Sequence, residues 1–295
     1  MNQNVETITQ TIIDTINSII SSLFSSIDNS LYGTLNDLAF LSEDLLKNSF
    51  FKNLFDSSAQ NNILLIANSL LIGFSVFYCI RLISSYLIGN PVEHPYSFLL
   101  KLLFFGLLMN QSLFFCEQCL KINHLLSSSI LELGENLLGI SINFNELITR
   151  LNNVISVDSD SLNIFSFDGI IRSFISVSLF NLVLSYSLRY IMVQIFILIC
   201  PFAFLTLLNK TTSSFFYSWL RIFLSLLLLQ VFIAFILVLL FSINISDKNI
   251  LTKLYCIGCL YALIRSNNYL QSLIGGINTN ISVQIKNFKN SLRSN

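Results

Sequence analysis

The chain has 295 residues, 54% of them hydrophobic and 11% charged, with a mean hydropathy of +0.71 and a formal net charge of zero. A typical soluble domain carries about 25% charged residues, so the composition excludes an ordinary soluble globular protein and points to a polytopic membrane protein. The zero net charge conceals a strong segregation of acids and bases along the chain.

Met1–Gln10 has neither a basic stretch nor a compact apolar core, so no secretory signal is read there and the first transmembrane helix is expected to direct its own insertion. Residues 1–61 form an amphipathic region. Apolar residues recur at Val5, Ile8, Ile12, Ile16, Ile19, Leu23, Ile27, Leu31, Leu35 and Leu38. Steps of three and four place them on one helical stripe. The pattern predicts a long amphipathic helix, loosened midway at Gly33, that packs on its own protein or serves self-assembly or a partner.

Residues 62–116 are expected to hold the first two crossings, about Ile63–Ile80 and Ser97–Cys116, separated by a turn at Pro91 and Pro95. Lys101 near the start of the second is placed to snorkel. Residues 117–169 are polar enough to leave the membrane as a helical and then looped segment with an apolar stripe at Leu125, Ile130, Leu133 and Leu137.

Residues 170–277 carry the transmembrane core. From Ile170 to Ile243 there is no acid and there are four bases, Arg172, Arg189, Lys210 and Arg221. A crossing needs roughly 20 apolar residues, so this run holds at least two. Its first part, 170–208, would reach about 58 Å as a helix. It is either two crossings with a turn at Arg189 or one long helix with Arg189 near mid-membrane. The fourth crossing is about Phe215–Ile243, and a weak fifth starts near Leu254 and runs into Arg265, Asn267, Asn268 and the pair Gly275-Gly276. Residues 278–295 form a polar, basic tail.

Loop charge chooses between these readings. Residues 1–61 hold seven acids against Lys47 and Lys52, and 117–168 hold seven against Lys121 and Arg150. Lys210, Arg221, Lys286, Lys289 and Arg293 mark the opposite side. Basic flanks are retained in the cytoplasm. The expected fold is therefore all-α: about five crossings, N-terminus outside and C-terminus inside, with one long third helix. Pro201 is expected to kink that helix and lay Phe202–Leu208 along the inner surface.

Arg189 is the sharpest anomaly, because a mid-bilayer Arg costs a few kcal/mol and must face water, a subunit or a partner helix. Gln194 and Gln230 are its candidate hydrogen-bond partners. Two cysteine pairs, Cys116/Cys119 and Cys256/Cys259, have the spacing of a helical i, i+3 redox pair. Small packing residues are the plainer reading of them, and no ligand set around them makes a metal site. There is no GxGxxG, P-loop, HExxH, GxSxG or paired-carboxylate motif, so neither cofactor nor enzymatic activity is expected. The alternative reading is a quinone-linked membrane thiol oxidoreductase that uses the two cysteine pairs. Acids are missing from the apolar segments, which disfavours a proton-coupled carrier, and no broken helices are evident in corresponding halves.

Arg189-Tyr190, Ile199-Cys200-Pro201-Phe202-Ala203, Ser218-Trp219-Leu220-Arg221, Leu229-Gln230 and the stretch Leu270–Ile277 with Gly275-Gly276 together resemble the TrbL-like family, the polytopic inner-membrane component of type IV secretion and conjugation machines. The resemblance implies a bacterial inner-membrane protein with a Pro-bearing long helix, a Trp219-bearing cytoplasmic loop and a Gln-bearing helix after it. It implies a channel or platform for pilus or stalk assembly on the route of a DNA or protein substrate. It also implies a homo-oligomer in the lipid bilayer that contacts a minor pilin, an inner-membrane scaffold and secretion ATPases. Arg189, Gln194, Pro201, Trp219, Arg221, Gln230, Gly275 and Gly276 are the candidate channel or assembly residues. The polar fifth helix departs from the family pattern.

Overall fold

The computed structural model describes residues 11, 15, 29–55, 62–89, 93–155, 167–209, 212–243 and 250–274. Every regular element among them is helical. In chain order these are α1 (Asn29–Ala39), a 3-10 turn (Glu43–Lys47), α2 (Ser49–Phe55), α3 (Ile63–Ile88), α4 (Pro95–Asn110), α5 (Ser112–Leu138), α6 (Phe144–Ile155), α7 (Phe167–Leu205), α8 (Ser213–Phe241) and α9 (Ile250–Ile274). Gly275, Gly276, the basic tail and the apolar stripe from Val5 to Ile27 lie outside the described residues.

The third apolar segment is one continuous helix of 39 residues with no turn at Arg189. Pro201 does not end it. The chain stays helical to Leu205 and tightens into a 3-10 turn over Thr206–Leu208. Ala203, Phe204, Leu205 and Leu208 are buried in the bundle.

Two side-chain contacts set α8 antiparallel to α7. Arg189 meets Leu226, and Phe196 meets Trp219 farther along. By contrast, α5 runs parallel to α8. Cys116 and Leu120 share a packed cluster with Trp219 and Phe223, Asn123 and Ser127 meet Gln230, and Gly134 meets Val238. The contact extends from Cys116 to Gly134, about 27 Å of helix at 1.5 Å per residue. The segment 117–169, expected to be helical and then looped, is helical up to Leu138, and that helix lies in the bundle. Its 3–4 periodicity is as read, but the face is inverted. Leu125, Leu133 and Leu137 point outward, while Cys116, Leu120, Asn123, Ser127 and Gly134 face α8. A helix with its polar and small residues turned inward suits an apolar surround.

At Gly134 α5 closely approaches its neighbours. A Cβ there would lie 2.6 Å from Ile142 Cδ1 and 2.6 Å from Val238 Cγ2. Gly134→Ala is therefore expected to destabilise the bundle by about 1–3 kcal/mol, the usual cost of overpacking. Gly73→Ala, where a Cβ meets nothing within 4 Å, serves as the neutral control. Thermal unfolding in detergent reads both, and equal midpoints would contradict the tight α5–α8 contact.

Helices α3 and α4 form an antiparallel pair. Tyr78 stacks on Phe98 at 3.7 Å between ring centroids, and the Asn68 and Asn110 side-chain amides bond each other. Gly89 at φ 79° closes α3 in the left-handed conformation that lacks a Cβ penalty. The second apolar segment does not end at Cys116 as a single span; it breaks at Gln111, where α4 and α5 are bent by 58°. After Gly139 (φ 68°), the Glu135 carboxylate accepts from Ile142 N and Asn143 caps α6.

Three helical stretches are long and apolar enough to cross a membrane: Ile63–Ile88, Val177–Leu208 and Ser213–Phe241. The bent α4–α5 pair makes up to four. The weak fifth crossing expected near Leu254 is not among them. Its helix, α9, carries Arg265, Ser266, Asn267 and Asn268 in one run and turns Ser266 and Asn267 into the bundle.

The described part of 1–61 is not one amphipathic helix. It is α1, a non-helical break over residues 40–42, the 3-10 turn and α2. The break falls after Ala39, while Gly33 sits inside α1. This N-terminal segment is embedded in the bundle. α1 packs on α6 and α7, the 3-10 turn packs on α5, and α2 packs on α3. The apolar interior is split in two. One half-core joins Leu35 and Ala39 to α6, α9, the first half of α7 and the second half of α8. The other joins Leu41, Phe51 and Phe55 to α3, the second half of α7 and the first half of α8. The break at residues 40–42 lies where the two meet.

Candidate functional site: a polar layer at mid-bundle

Between the two half-cores the bundle holds a layer of buried polar side chains. Arg189 is fully buried on α7, with 0% of its surface exposed. Its Nε donates to Leu226 O on α8 at 2.8 Å and its Nη1 donates to Ala39 O at 2.8 Å. Ala39 is the last residue of α1. The carbonyls at a helix C-terminus have no intrahelical partner and carry the negative end of the helix dipole. A guanidinium is suited to that position because its planar fork holds two acceptors at once.

Gln230 is the second centre and is also 0% exposed. Its Oε1 accepts from Leu41 N at 3.0 Å and from Asn123 Nδ2 at 3.1 Å, while its Nε2 donates to Ser127 Oγ at 2.8 Å. One amide thereby ties α8 to α5 and to the broken segment. Non-helical backbone at such depth is stable only where buried partners satisfy its N–H and C=O groups. Arg189 and Gln230 do this from either side of the break, one taking a carbonyl and the other an N–H.

The layer leaves hydrogen-bonding capacity over. Arg189 Nη2, Asn123 Oδ1, Ser185 Oγ and Asn36 Oδ1 are buried without a partner. Tyr186, one helical turn before Arg189, is buried beside it, and α9 adds buried Ser266 and Asn267. No group of three or more His, Cys, Asp or Glu able to hold a metal occurs among the described residues.

The expected partners of Arg189 were Gln194 and Gln230, and neither bonds it. Gln194 is half-buried elsewhere on α7, and Gln230 serves Leu41, Asn123 and Ser127. Arg221 is exposed on α8 and takes no part in the layer. Trp219 is not in a loop. It lies within α8, 2% exposed, donating from Nε1 to Phe196 O at 2.9 Å and stacking on Phe223. The loop expectation failed because α8 already starts at Ser213. Pro201 is buried in α7 on the same side of the polar layer as Trp219. The sequence reading missed Asn123, Ser127 and the 40–42 break. The available signal for the first two was the small and polar stripe at Cys116, Asn123, Ser127 and Gly134, which opposes the apolar stripe of the same helix.

The two cysteine pairs sit in different half-cores, Cys116/Cys119 in one and Cys256/Cys259 in the other. All four are free thiols; Cys116 and Cys256 are buried and their mates are half-buried. Cys200, on α7, packs in the half-core of Cys116 and contacts Ser112 O at 3.6 Å.

No family model, curated protein or solved structure matches the chain.

Proposed function

We propose that the chain is the polytopic inner-membrane component of a type IV secretion machine, a homo-oligomeric channel or assembly platform on the route of a DNA or protein substrate. One observation supports this reading. Three of the residues that carry the resemblance to the TrbL-like family join helices of the bundle: Arg189 and Trp219 each donate across the α7–α8 contact, and Gln230 joins α8 to α5. The acids of 117–168 favour the α6 end of the bundle outside, and a basic C-terminal tail inside would make α9 a fifth crossing. Their charge also argues against nonspecific DNA binding on that outer face, since phosphate is held by Lys and Arg.

Deleting the chain from its host is expected to abolish substrate transfer, with recovery on complementation. A tagged copy is expected to co-purify with a minor pilin and a secretion ATPase. Normal transfer in the deletion strain would sink the assignment. Accessibility mapping is expected to find a cysteine at Ser141 reactive from outside and one at Lys286 only from inside, and the reverse would overturn the orientation.

A further inference from the structure

We propose that the N-terminal segment Asn29–Phe55 is a releasable plug, latched at mid-bundle by Arg189 and Gln230, and that its withdrawal opens a wet crevice between α5, α7 and α8. The segment is held at its break by few polar contacts. At the break, the Arg189 and Gln230 side chains grip main-chain atoms only, Ala39 O and Leu41 N. Such bonds can be remade with water.

The closed state is also incompletely satisfied. Arg189 Nη2, Asn123 Oδ1, Ser185 Oγ and Asn36 Oδ1 are buried without partners while the segment is in place. Each such group carries a desolvation penalty that hydration removes. Entry of water would thus offset part of the apolar burial given up as Leu35, Leu41 and Phe51 leave their half-cores. Both states have compensating terms, which is the condition for a two-state element. The walls left behind are polar where they face the vacated path, through Arg189, Gln230, Asn123 and Ser127, and so would hold water.

The inference rests on α7 and α8 lying across the membrane, which cysteines at Ser141 and Asn209, expected to react from opposite faces, test separately. It does not depend on the identity of the translocated substrate. The test uses the full chain in liposomes, with its six cysteines replaced and a single reporter, Ser185→Cys. Ser185 is 5% exposed, lies one turn from Arg189 and has no hydrogen bond to lose. The probe is a membrane-impermeant maleimide. Labelling is expected to be slow with the latch intact and at least tenfold faster with Gln230→Ala. Leu41→Pro removes the N–H that donates to Gln230 without altering the crevice walls, and the same acceleration is expected. A second reporter, Leu263→Cys, is 0% exposed on α9, which packs against α7 and α8, and is expected to stay protected throughout. If Ser185→Cys stays as protected in both latch variants as in the parent, no crevice lies under the segment and the proposal fails. If Leu263→Cys labels in step with Ser185→Cys in both, the bundle unfolds as a whole and the proposal fails equally.

Discussion

Gln230→Leu is expected to be the most destabilising single substitution in the polar layer. It leaves the Leu41 N–H and the Asn123 amide without their partner in a dry interior, while the Ser127 hydroxyl keeps its bond to His124 O. A buried donor stripped of its partner costs about 1–3 kcal/mol, so the two together amount to about 2 kcal/mol or more, tempered by relaxation. Leucine is close to glutamine in volume, so no large cavity adds to this. Gln230→Glu retains the acceptor that Leu41 and Asn123 use, and its charge lies in the same layer as the Arg189 guanidinium. It is expected to recover most of the loss. Thermal unfolding in detergent measures both, with trypsin cleavage at Lys47 and Lys52 as a second readout. Equal unfolding midpoints for Gln230→Leu and the parent would show that the amide is not what holds the break.

Arg189→Leu is expected to separate stability from function. The substitution deletes two bonds from a charged donor, each worth about 1.5–3 kcal/mol. It also removes a buried cation that has no carboxylate against it among the described residues, and replacing buried charge by apolar volume often gives back what the bonds contributed. The midpoint is therefore expected to shift less than in Gln230→Leu, and insertion into the membrane to remain intact. The Ala39 carbonyl, however, is left without its side-chain partner at the end of α1. Cleavage at Lys47 and Lys52 is expected to rise by about tenfold, the equivalent of about 1.4 kcal/mol in the holding of the segment, and substrate transfer to fall. Arg189→Lys is expected to be intermediate, because an ammonium is a point charge and cannot span Ala39 O and Leu226 O as a planar fork does. Unchanged cleavage and unchanged transfer in Arg189→Leu would remove Arg189 from both latch and channel.

The same two residues show why the site was only half legible. Arg189 was legible because a cation in an acid-free apolar run has no cheap environment, whatever the fold. Its partner was not, because that partner is a main-chain carbonyl 150 residues away. Every residue type offers the same carbonyl, so no residue identity announces it. Gln230 stood out as an amide among leucines, yet its role as a three-way tie required Asn123, Ser127 and Leu41 to arrive from two other parts of the chain. Asn123 and Ser127 were read as part of a helical segment outside the membrane because 117–168 carries seven acids. Yet Glu117, Glu132 and Glu135 fall toward the two ends of α5, and its middle shows leucine outward and polar side chains inward. Net charge over a window does not record which way a helix faces.

By itself, the sequence determined that this protein is helical and membrane-bound, that 170–208 has the length of one long helix, and that Arg189 must have a buried purpose. Those conclusions depend on local quantities: apolar run length against bilayer thickness, and the cost of an isolated charge. Only the tertiary structure decided that the N-terminal region enters the bundle and breaks at residues 40–42, that α5 lies along α8 from Cys116 to Gly134, and that Arg189 and Gln230 divide the exposed backbone groups of that break between them. The physical reason is that backbone groups freed by a break can be satisfied by any well-placed side chain, and placement is a property of how helices pack rather than of the residues in any one of them.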